Sequence, residues 1–300
     1  MTPRKPPQED REANDLESAA LTPTCVYVPD NELRRGFFAI FQSIATEIRK
    51  NGWLIWQLFR RDFIVQYRQS LIGFFWAVLI PLVTVGTFAL LNRSGLFRLA
   101  AIPVPYPIFA VFGLMIWQIF AIGLVTCSDA LVKAGSMIVK INVSKKSLLL
   151  AAFLQSAVAF LIQFALLLFL YRLFRLNPGW RSLLLPILVM PLVLLTFGLG
   201  LVFSVLNGIM RDTAKFLQVF MTFALFLTPV MYMKPSLGLL ARITRFNPLY
   251  YLVCFPRNYI LLGDRSDLPG YLTCSLLAVA VFILFLLVFH LAETRVSERI

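Results

Sequence analysis

Few side chains in this sequence could carry out covalent or acid–base chemistry. The 300 residues include one histidine, His290, and four cysteines, none of which forms a C-x-x-C pair. A metal site or a disulfide framework is therefore not expected. The sequence has no G-x-x-x-x-G-K-[ST] phosphate loop, and no Ser/His/Asp set or carboxylate pair is placed for catalysis. The carboxylates that could serve an enzyme at a membrane surface flank apolar segments: Asp62, Asp129, Asp212 and Glu293.

The distribution of apolar residues indicates the class of protein. Hydrophobic residues make up 59% of the chain and charged residues 14%, with a mean hydropathy of +0.79, whereas soluble domains carry about 25% charged residues. Several runs without Asp, Glu, Lys or Arg reach the length of about 20 residues that a membrane-spanning helix needs. We therefore predict an all-α, multi-pass membrane protein. The net charge of +13 arises from Lys and Arg between these runs, where they contact anionic headgroups, so no nucleic-acid partner is expected.

Two stretches precede the first long apolar run. Residues 1–35 are charged, contain prolines and lack the apolar core of a signal peptide, so we expect a disordered cytoplasmic extension. Residues 36–69 show helical periodicity, with aromatic residues at spacings of three or four and arginines beside them: Trp56, Phe59, Phe63 and Tyr67, flanked by Arg60, Arg61 and Arg68. This pattern predicts a basic amphipathic helix in the membrane interface, and the outer part of a buried helix is the alternative.

The two faces of this amphipathic helix are expected to have different partners. Phe59 and Phe63 should face lipid. Asp62 and Gln66 are four residues apart and therefore share one face, which should contact a protein.

Six apolar segments are predicted to cross the membrane within a transmembrane domain of residues 70–292. They comprise residues 71–91, 107–126, 148–170, 183–206, 216–233 and 271–291, with a short cytoplasmic tail, 293–300, after the last. None of them contains Asp, Glu, Lys or Arg. Ion-coupled carriers usually need such residues within the membrane, so the energy for any transport should come from another polypeptide.

The segment between the fifth and sixth spans, residues 234–269, is half apolar and is interrupted at Asn247-Pro248 and Phe255-Pro256. Each apolar run in it is too short to span. We expect two re-entrant half-helices on the extracellular side, because irregular backbone at membrane depth must be covered by protein or water. An extramembrane loop with surface helices is the alternative.

Lysine and arginine counts predict the orientation of the chain. With a cytoplasmic N-terminus, the inside segments hold 18 of these residues and the outside segments 10, and both termini are then cytoplasmic. The loop of residues 128–147 lies inside, and it could form a short helix capped by Ser128 or Asp129 that docks into a partner. A solvated basic loop is the alternative.

Four stretches resemble one family in order and spacing. The stretch "RDFIVQYRQSLIGFFWAVLIPL" is similar to the start of ABC-2 type permeases that export O-antigen, capsule or teichoic acid chains, with these residues matching their pattern: Asp62, Tyr67, Arg68, Ser70, Gly73, Trp76 and Pro81. The other three are "IPVPYPIFAVFGLMIWQIF", "MRDTAKFLQVFMTFALFLTPVMY" and "FNPLYYLVCFPRNYILLG". The resemblance covers about residues 36–295. Where many relatives carry an F-P-R-E-like tetrad, this chain has "NVSKK", residues 142–146.

The resemblance implies a permease subunit without enzymatic activity of its own. It implies a homodimer around a central pathway in the bacterial cytoplasmic (inner) membrane, driven by separate ATPase subunits that bind the ATP and Mg, so that this chain needs no cofactor. The cargo that the resemblance implies is a lipid-linked polysaccharide, moved outward. An uncharged path lined by aromatic side chains would suit it, because sugar rings stack on such side chains. Alternatives are an ABC-2 permease that exports small lipophilic molecules, and a membrane-embedded glycan transferase or scaffold.

The family resemblance also assigns two groups of residues. The residues that would couple transport to the ATPase are Arg61, Asp62, Arg68, Ser128, Asp129, Lys133 and Lys140. The residues that would line the pathway or its extracellular gate are Tyr67, Phe75, Trp76, Tyr232, Asn247, Tyr250 and Tyr251.

Overall fold

The computed structural model describes residues 48–68, 75–93, 102–135, 144–235 and 237–296, together with Gln42 and Thr46. Within these residues the chain forms helices and no β-strand, which confirms the predicted all-α class. The helices are α1 (Gly52–Arg68), α2 (Trp76–Arg93), α3 (Tyr106–Lys133), α4 (Lys145–Leu173), α5 (Leu185–Ile209), α6 (Thr213–Leu227), α7 (Gly238–Phe246), α8 (Pro248–Leu262) and α9 (Leu268–Val296). A 3-10 helix, Trp180–Leu184, leads directly into α5. The extension predicted for residues 1–35 lies outside the described residues.

Within the part of the chain that the structure describes, four helical stretches are long and apolar enough to cross a membrane. They are Tyr106–Lys133, Lys145–Leu173, Trp180–Ile209 and Leu268–Phe289. They correspond to the second, third, fourth and sixth predicted spans. The first predicted span corresponds to α2, which begins at Trp76, whereas residues 71–74 lie outside the described part of the chain.

The fifth predicted span, residues 216–233, is wrong at its C-terminal end. Helix α6 has 15 residues and ends at Leu227, which gives it a length of about 22 Å at 1.5 Å per residue. Thr228 has φ −100° and ψ 123°, the extended conformation that a residue before proline favours. Pro229 therefore ends the helix, although the sequence stays apolar as far as Met233.

Helix α3 forms the centre of the helical bundle. It is buried along most of its length and packs against both α4 and α5, while α9 covers the other side of α5. Glycines bring these helices close together. A Cβ atom on Gly123 of α3 would lie 2.8 Å from the Phe153 ring of α4, and one on Gly198 of α5 would lie 2.8 Å from the Cα of Phe282 in α9. Small residues allow this approach between membrane helices.

Helix α1 is amphipathic as predicted, but the predicted assignment of its faces is wrong. Phe59 is buried, and Phe63 is partly buried in the same cluster, which joins α1 to the start of α4 rather than to lipid. The cluster consists of Ile55, Leu58, Phe59, Ala134, Leu148 and Ala151. The opposite face of α1 exposes Trp53 by 71%, whereas Trp56, 58% exposed, lies at the edge of the cluster with its ring centre 5.4 Å from that of Phe59. The spacing identified an apolar face, but it could not identify the helix that covers it.

The packing of α1 on α4 predicts unequal effects for two aromatic substitutions. Phe59→Ala should lower the free energy of unfolding by about 3 kcal/mol, because it opens a cavity in the cluster. Trp53→Ala should change it by less than about 0.5 kcal/mol, since the Trp53 side chain is 71% exposed. Thermal or denaturant unfolding in detergent measures both variants. Equal losses in the two would contradict this packing.

Candidate functional site

The buried side chain of Arg257 connects the segment after α6 to two other helices. Arg257 of α8 is 0% exposed. Its Nη1 donates hydrogen bonds to the Pro229 carbonyl at 3.1 Å and to the Val230 carbonyl, and its Cζ lies 3.8 Å from the centre of the Phe109 ring. A buried charge is costly unless other groups compensate it. Here two carbonyl dipoles and the face of an aromatic ring do so.

The local sequence explains why the carbonyl groups of residues 229 and 230 are available. The helix has ended at Leu227, so no following helical turn supplies N–H groups to them. Gly113 of α3 lets this segment approach, because a Cβ atom there would lie 2.1 Å from the Val230 oxygen. Arg257 therefore joins α8, α3 and the end of α6 at a single point. We call the group Phe109, Pro229, Val230 and Arg257 the Arg257 cluster.

The predicted break at Asn247-Pro248 is confirmed, and Asn247 stabilises it. Asn247 is the N-cap of α8, where its Oδ1 accepts the Leu249 N–H at 2.9 Å and its Nδ2 donates to the Thr228 hydroxyl at 2.9 Å. The break predicted at Phe255-Pro256 is wrong, because α8 continues through Pro256 to Leu262. A proline removes only one helical donor, and packed helices in a bundle tolerate that loss.

The two ends of the segment of residues 234–269 meet. The Lys234 ammonium lies 2.8 Å from a carboxylate oxygen of Asp267, and the Tyr250 hydroxyl donates to the other oxygen of that carboxylate. Lys234 also lies 5.0 Å from the centre of the Tyr250 ring. The chain therefore enters and leaves α7 and α8 at the same place in the fold.

The structure brings together some of the predicted gate residues. Tyr232, Asn247 and Tyr250 lie around the end of α6, where the Tyr232 hydroxyl donates to the Phe226 carbonyl. The Tyr251 hydroxyl instead donates to the Arg245 carbonyl at 3.1 Å, at the end of α7. The aromatic pair predicted at the start of α2, Phe75 and Trp76, is exposed by 57% and 44%. The side chain of Tyr67 lies outside the described part of the chain.

The predicted coupling residues near the end of α3 form a second polar group, with one correction. Ser128 and Asp129 lie within α3, which continues to Lys133, so neither residue caps a separate helix. Asp129 accepts a hydrogen bond from Asn207 of α5 at 3.2 Å and pairs with Lys133 at 3.2 Å. The residues around Ser128 are mostly apolar and buried against other helices, so α3 continues past Ser128. Lys140 lies outside the described residues.

The remaining predicted coupling residues lie on α1. Arg61 and Asp62 form an exposed ion pair at 2.8 Å, and such pairs contribute about 0–1 kcal/mol to stability. Asp62 thus has a partner on its own helix. The side chain of Arg68 lies outside the described residues.

Sequence reasoning missed three residues with structural roles at these sites. Arg257 was counted only as a charge outside the membrane, although it is the one charged residue between Asn247 and Gly263 and its neighbours are apolar. That isolation was a usable signal for burial. Asp267 and the buried Asn207 depend on partners far away in the sequence, and no local pattern indicates those partners.

Comparisons with known proteins agree on one family. A family model described as ABC-2 type transporter matches residues 54–255, from α1 into α8. An O-antigen export system permease protein, RfbA, of Klebsiella pneumoniae is 24% identical over 245 residues, which cover 79% of this chain and 91% of that protein. A second RfbA permease of K. pneumoniae is 24% identical over 69% of this chain and 79% of its own length. An RfbA permease of Myxococcus xanthus is 24% identical over 63% of this chain and 72% of its own length. These matches confirm the resemblance seen in the sequence motifs.

The contacts of Arg257 predict that lysine cannot replace it. Arg257→Lys keeps the charge but loses the planar group that donates to a carbonyl while it stacks on Phe109. We expect the free energy of unfolding to fall by about 1–3 kcal/mol, the cost of leaving buried polar groups unpaired. Arg242→Lys is the matched control, since Arg242 is exposed on α7. Unfolding in detergent reports both, and equal stability of the two variants would show that the cluster needs only a positive charge.

Proposed function

Because this chain belongs to the ABC-2 type transporter family, we propose that it is the membrane-spanning permease subunit of an exporter for a lipid-linked polysaccharide. The observation that carries this proposal is the alignment with a protein named O-antigen export system permease over 79% of this chain and 91% of that protein. The direction of transport is from the cytoplasmic to the outer side of the membrane. The four long apolar stretches support a multi-pass protein, which we assign to the bacterial inner membrane.

The energy for transport comes from a separate ATPase subunit in this proposal. The sequence contains no phosphate loop, so ATP and Mg would bind to the partner. The ATPase would contact the end of α3, the residues that follow it up to the start of α4, and α1. The cluster around Phe59 supports one shared surface, because it fixes α1 against Ala134 and Leu148 on either side of that connection.

The orientation follows from the positive charges. The segments placed inside carry 18 Lys and Arg against 10 outside, which favours cytoplasmic termini. The end of α3 at Lys133 is then cytoplasmic. The Arg257 cluster packs near the opposite end of α3, at Phe109 and Gly113, and is then on the outer side. Helices α7 and α8 would be the re-entrant gate, and the contact between Lys234 and Asp267 supports their return to one side.

A homodimer would complete the pathway. Helix α6 exposes a row of apolar side chains at helical spacing, namely Phe216, Val219, Phe220, Phe223 and Phe226. The Phe216 and Phe220 rings stack with their centres 6.2 Å apart. Such rings offer flat apolar faces to a second copy of the chain and to passing sugar rings.

The alternative function as a transferase finds little support in the described residues. Asp62 pairs with Arg61, Asp129 with Lys133, and Asp212 lies 3.9 Å from Lys215. These carboxylates lie on or beside different helices and do not form a common acid–base pair. The alternative of a small lipophilic cargo shares the same architecture, and a transport assay can distinguish it.

The proposed dependence on an ATPase is tested by transport into inverted membrane vesicles. With the cognate ATPase and ATP, a fluorescent lipid-linked oligosaccharide should accumulate inside. The permease alone, or the complex with a non-hydrolysable ATP analogue, should give no accumulation, because the chain has no energy source of its own. Accumulation by the isolated chain in an ion gradient would contradict the proposal. ATP-driven uptake of a small lipophilic dye, without the oligosaccharide, would favour the alternative cargo.

The re-entrant topology predicts how three single cysteines react. In a background without native cysteines, Leu237→Cys and Arg265→Cys should both react with an impermeant thiol reagent added outside intact cells, since both positions are exposed near the ends of the segment. Lys133→Cys is the control and should react only after the membrane is opened. Reaction of only one of the first two from outside would show that the segment crosses the membrane.

A further inference from the structure

A single buried amide connects three helices at the end of the bundle that contains Lys133. Asn207 of α5 is 2% exposed. Its Nδ2 donates to the Ser128 carbonyl at 3.0 Å and to the Asp129 carboxylate at 3.2 Å, both on α3. Its Oδ1 accepts the Ala214 N–H of α6 at 3.3 Å. The donors and the acceptor of this side chain are therefore all engaged, as a buried amide requires.

The contact with Ala214 gives Asn207 the role of a helix cap. The first N–H groups of a helix lack partners within it. Asp212 occupies the N-cap position of α6, but its side chain makes no capping hydrogen bond. Asn207 supplies the acceptor from the preceding helix instead. The start of α6 is thus bonded, through one side chain, to the end of α3.

We propose that Asn207 is a positioning residue that transmits movement from the cytoplasmic end of α3 to α6, an inference that rests on the proposed function. Helix α3 leads into the connection that the ATPase would contact. Helix α6 leads to Pro229 and Val230, where Arg257 holds its other end. A displacement of the α3 end would therefore move the start of α6, and α6 would carry it towards the gate.

Two substitutions break this link in different ways. Asn207→Leu keeps the approximate size but removes every hydrogen bond. Asn207→Asp keeps the shape, loses both donors and places a carboxylate next to Asp129, where like charges repel. The double variant Asn207→Asp/Asp129→Asn exchanges donor and acceptor between residues 207 and 129 and removes the like-charge pair, while the Ser128 carbonyl stays without its donor. Ser204→Ala is the matched control, since this buried hydroxyl bonds only within α5, to the Leu201 carbonyl.

The experiment uses the complex of the full chain with its ATPase. An environment-sensitive fluorophore is attached at Val132→Cys or at Lys215→Cys, in a background without native cysteines. Val132 is partly exposed at the end of α3 and Lys215 is exposed on α6, and the ion pair of Lys215 with Asp212 is a surface pair of little energetic weight. ATP with vanadate should change the fluorescence at both positions in the parent and in Ser204→Ala. In Asn207→Leu and Asn207→Asp the change at residue 132 should remain, while the change at residue 215 is lost.

Transport provides a second measurement. The ratio of oligosaccharide exported to ATP hydrolysed should fall about tenfold in both single variants, within the usual range for coupled sites. It should rise again in part in the double variant, which restores the bond between residues 207 and 129 but not the bond to the Ser128 carbonyl. Melting temperatures identify any variant that merely unfolds, and the double variant then decides the question. Normal responses at residue 215 in both single variants would overturn the inference and leave the proposed function intact. Absence of any ATP response at residue 132 in the parent would overturn the proposed function itself.

Discussion

A helix that ends in the protein interior leaves buried carbonyl oxygens that no further helical turn can satisfy, and the arrangement around α8 depends on how this protein meets that constraint at the buried turn after α6. The buried guanidinium of Arg257 donates to the carbonyl groups of Pro229 and Val230, directly after the end of α6. Asn247 reaches the same turn through the hydroxyl of Thr228. A planar group with five donors suits this task better than an ammonium group does. Because these oxygens are satisfied, α6 can stop after 15 residues and the chain can turn into two short helices.

The same constraint governs the other end of α6, where the exposed groups are donors. Asn207 accepts the N–H of Ala214 and donates to α3, so side chains from neighbouring helices hold α6 at both ends. Between those ends its surface is largely phenylalanine and exposed. A helix fixed at its ends and open along one face can shift as a unit while it keeps its hydrogen bonds. A helix that lines a transport pathway and moves during transport would need this property.

The sequence predicted the elements that depend on local composition. The long uncharged runs predicted six spans, and four of them correspond to helical stretches in the described residues that are long and apolar enough to cross a membrane. Asn247-Pro248 predicted the break at which α8 begins, where asparagine and proline are both favoured. One prediction failed because a local signal was overlooked, and another failed because a distant partner decides the structure. Hydropathy stayed high beyond Leu227, so the end of α6 was missed although Pro229 was visible. The spacing of Phe59 gave an apolar face without indicating that α4 covers it. Among the candidate site residues, the local environment of Arg257 was informative, whereas the contacts of Asn207 span 79 residues and could not be read from the sequence.

In the described helices, buried polar side chains bond to the ends of neighbouring helices, and this arrangement fits a transport pathway whose energy comes from another protein. Arg257 donates to two backbone carbonyl groups and to the Asn258 side chain, and the Asn207 amide is bonded through both its nitrogen and its oxygen. Ion-coupled carriers instead place ionisable groups on the pathway, where they must be free to bind and release. A glycan needs aromatic faces and hydrogen bonds rather than fixed charges, and the exposed side chains of α6 are mostly phenylalanine. In the proposed export complex the energy would enter mechanically, and at the end of α3 one buried side chain, Asn207, connects the surface that the ATPase would contact to the helix that carries this aromatic face.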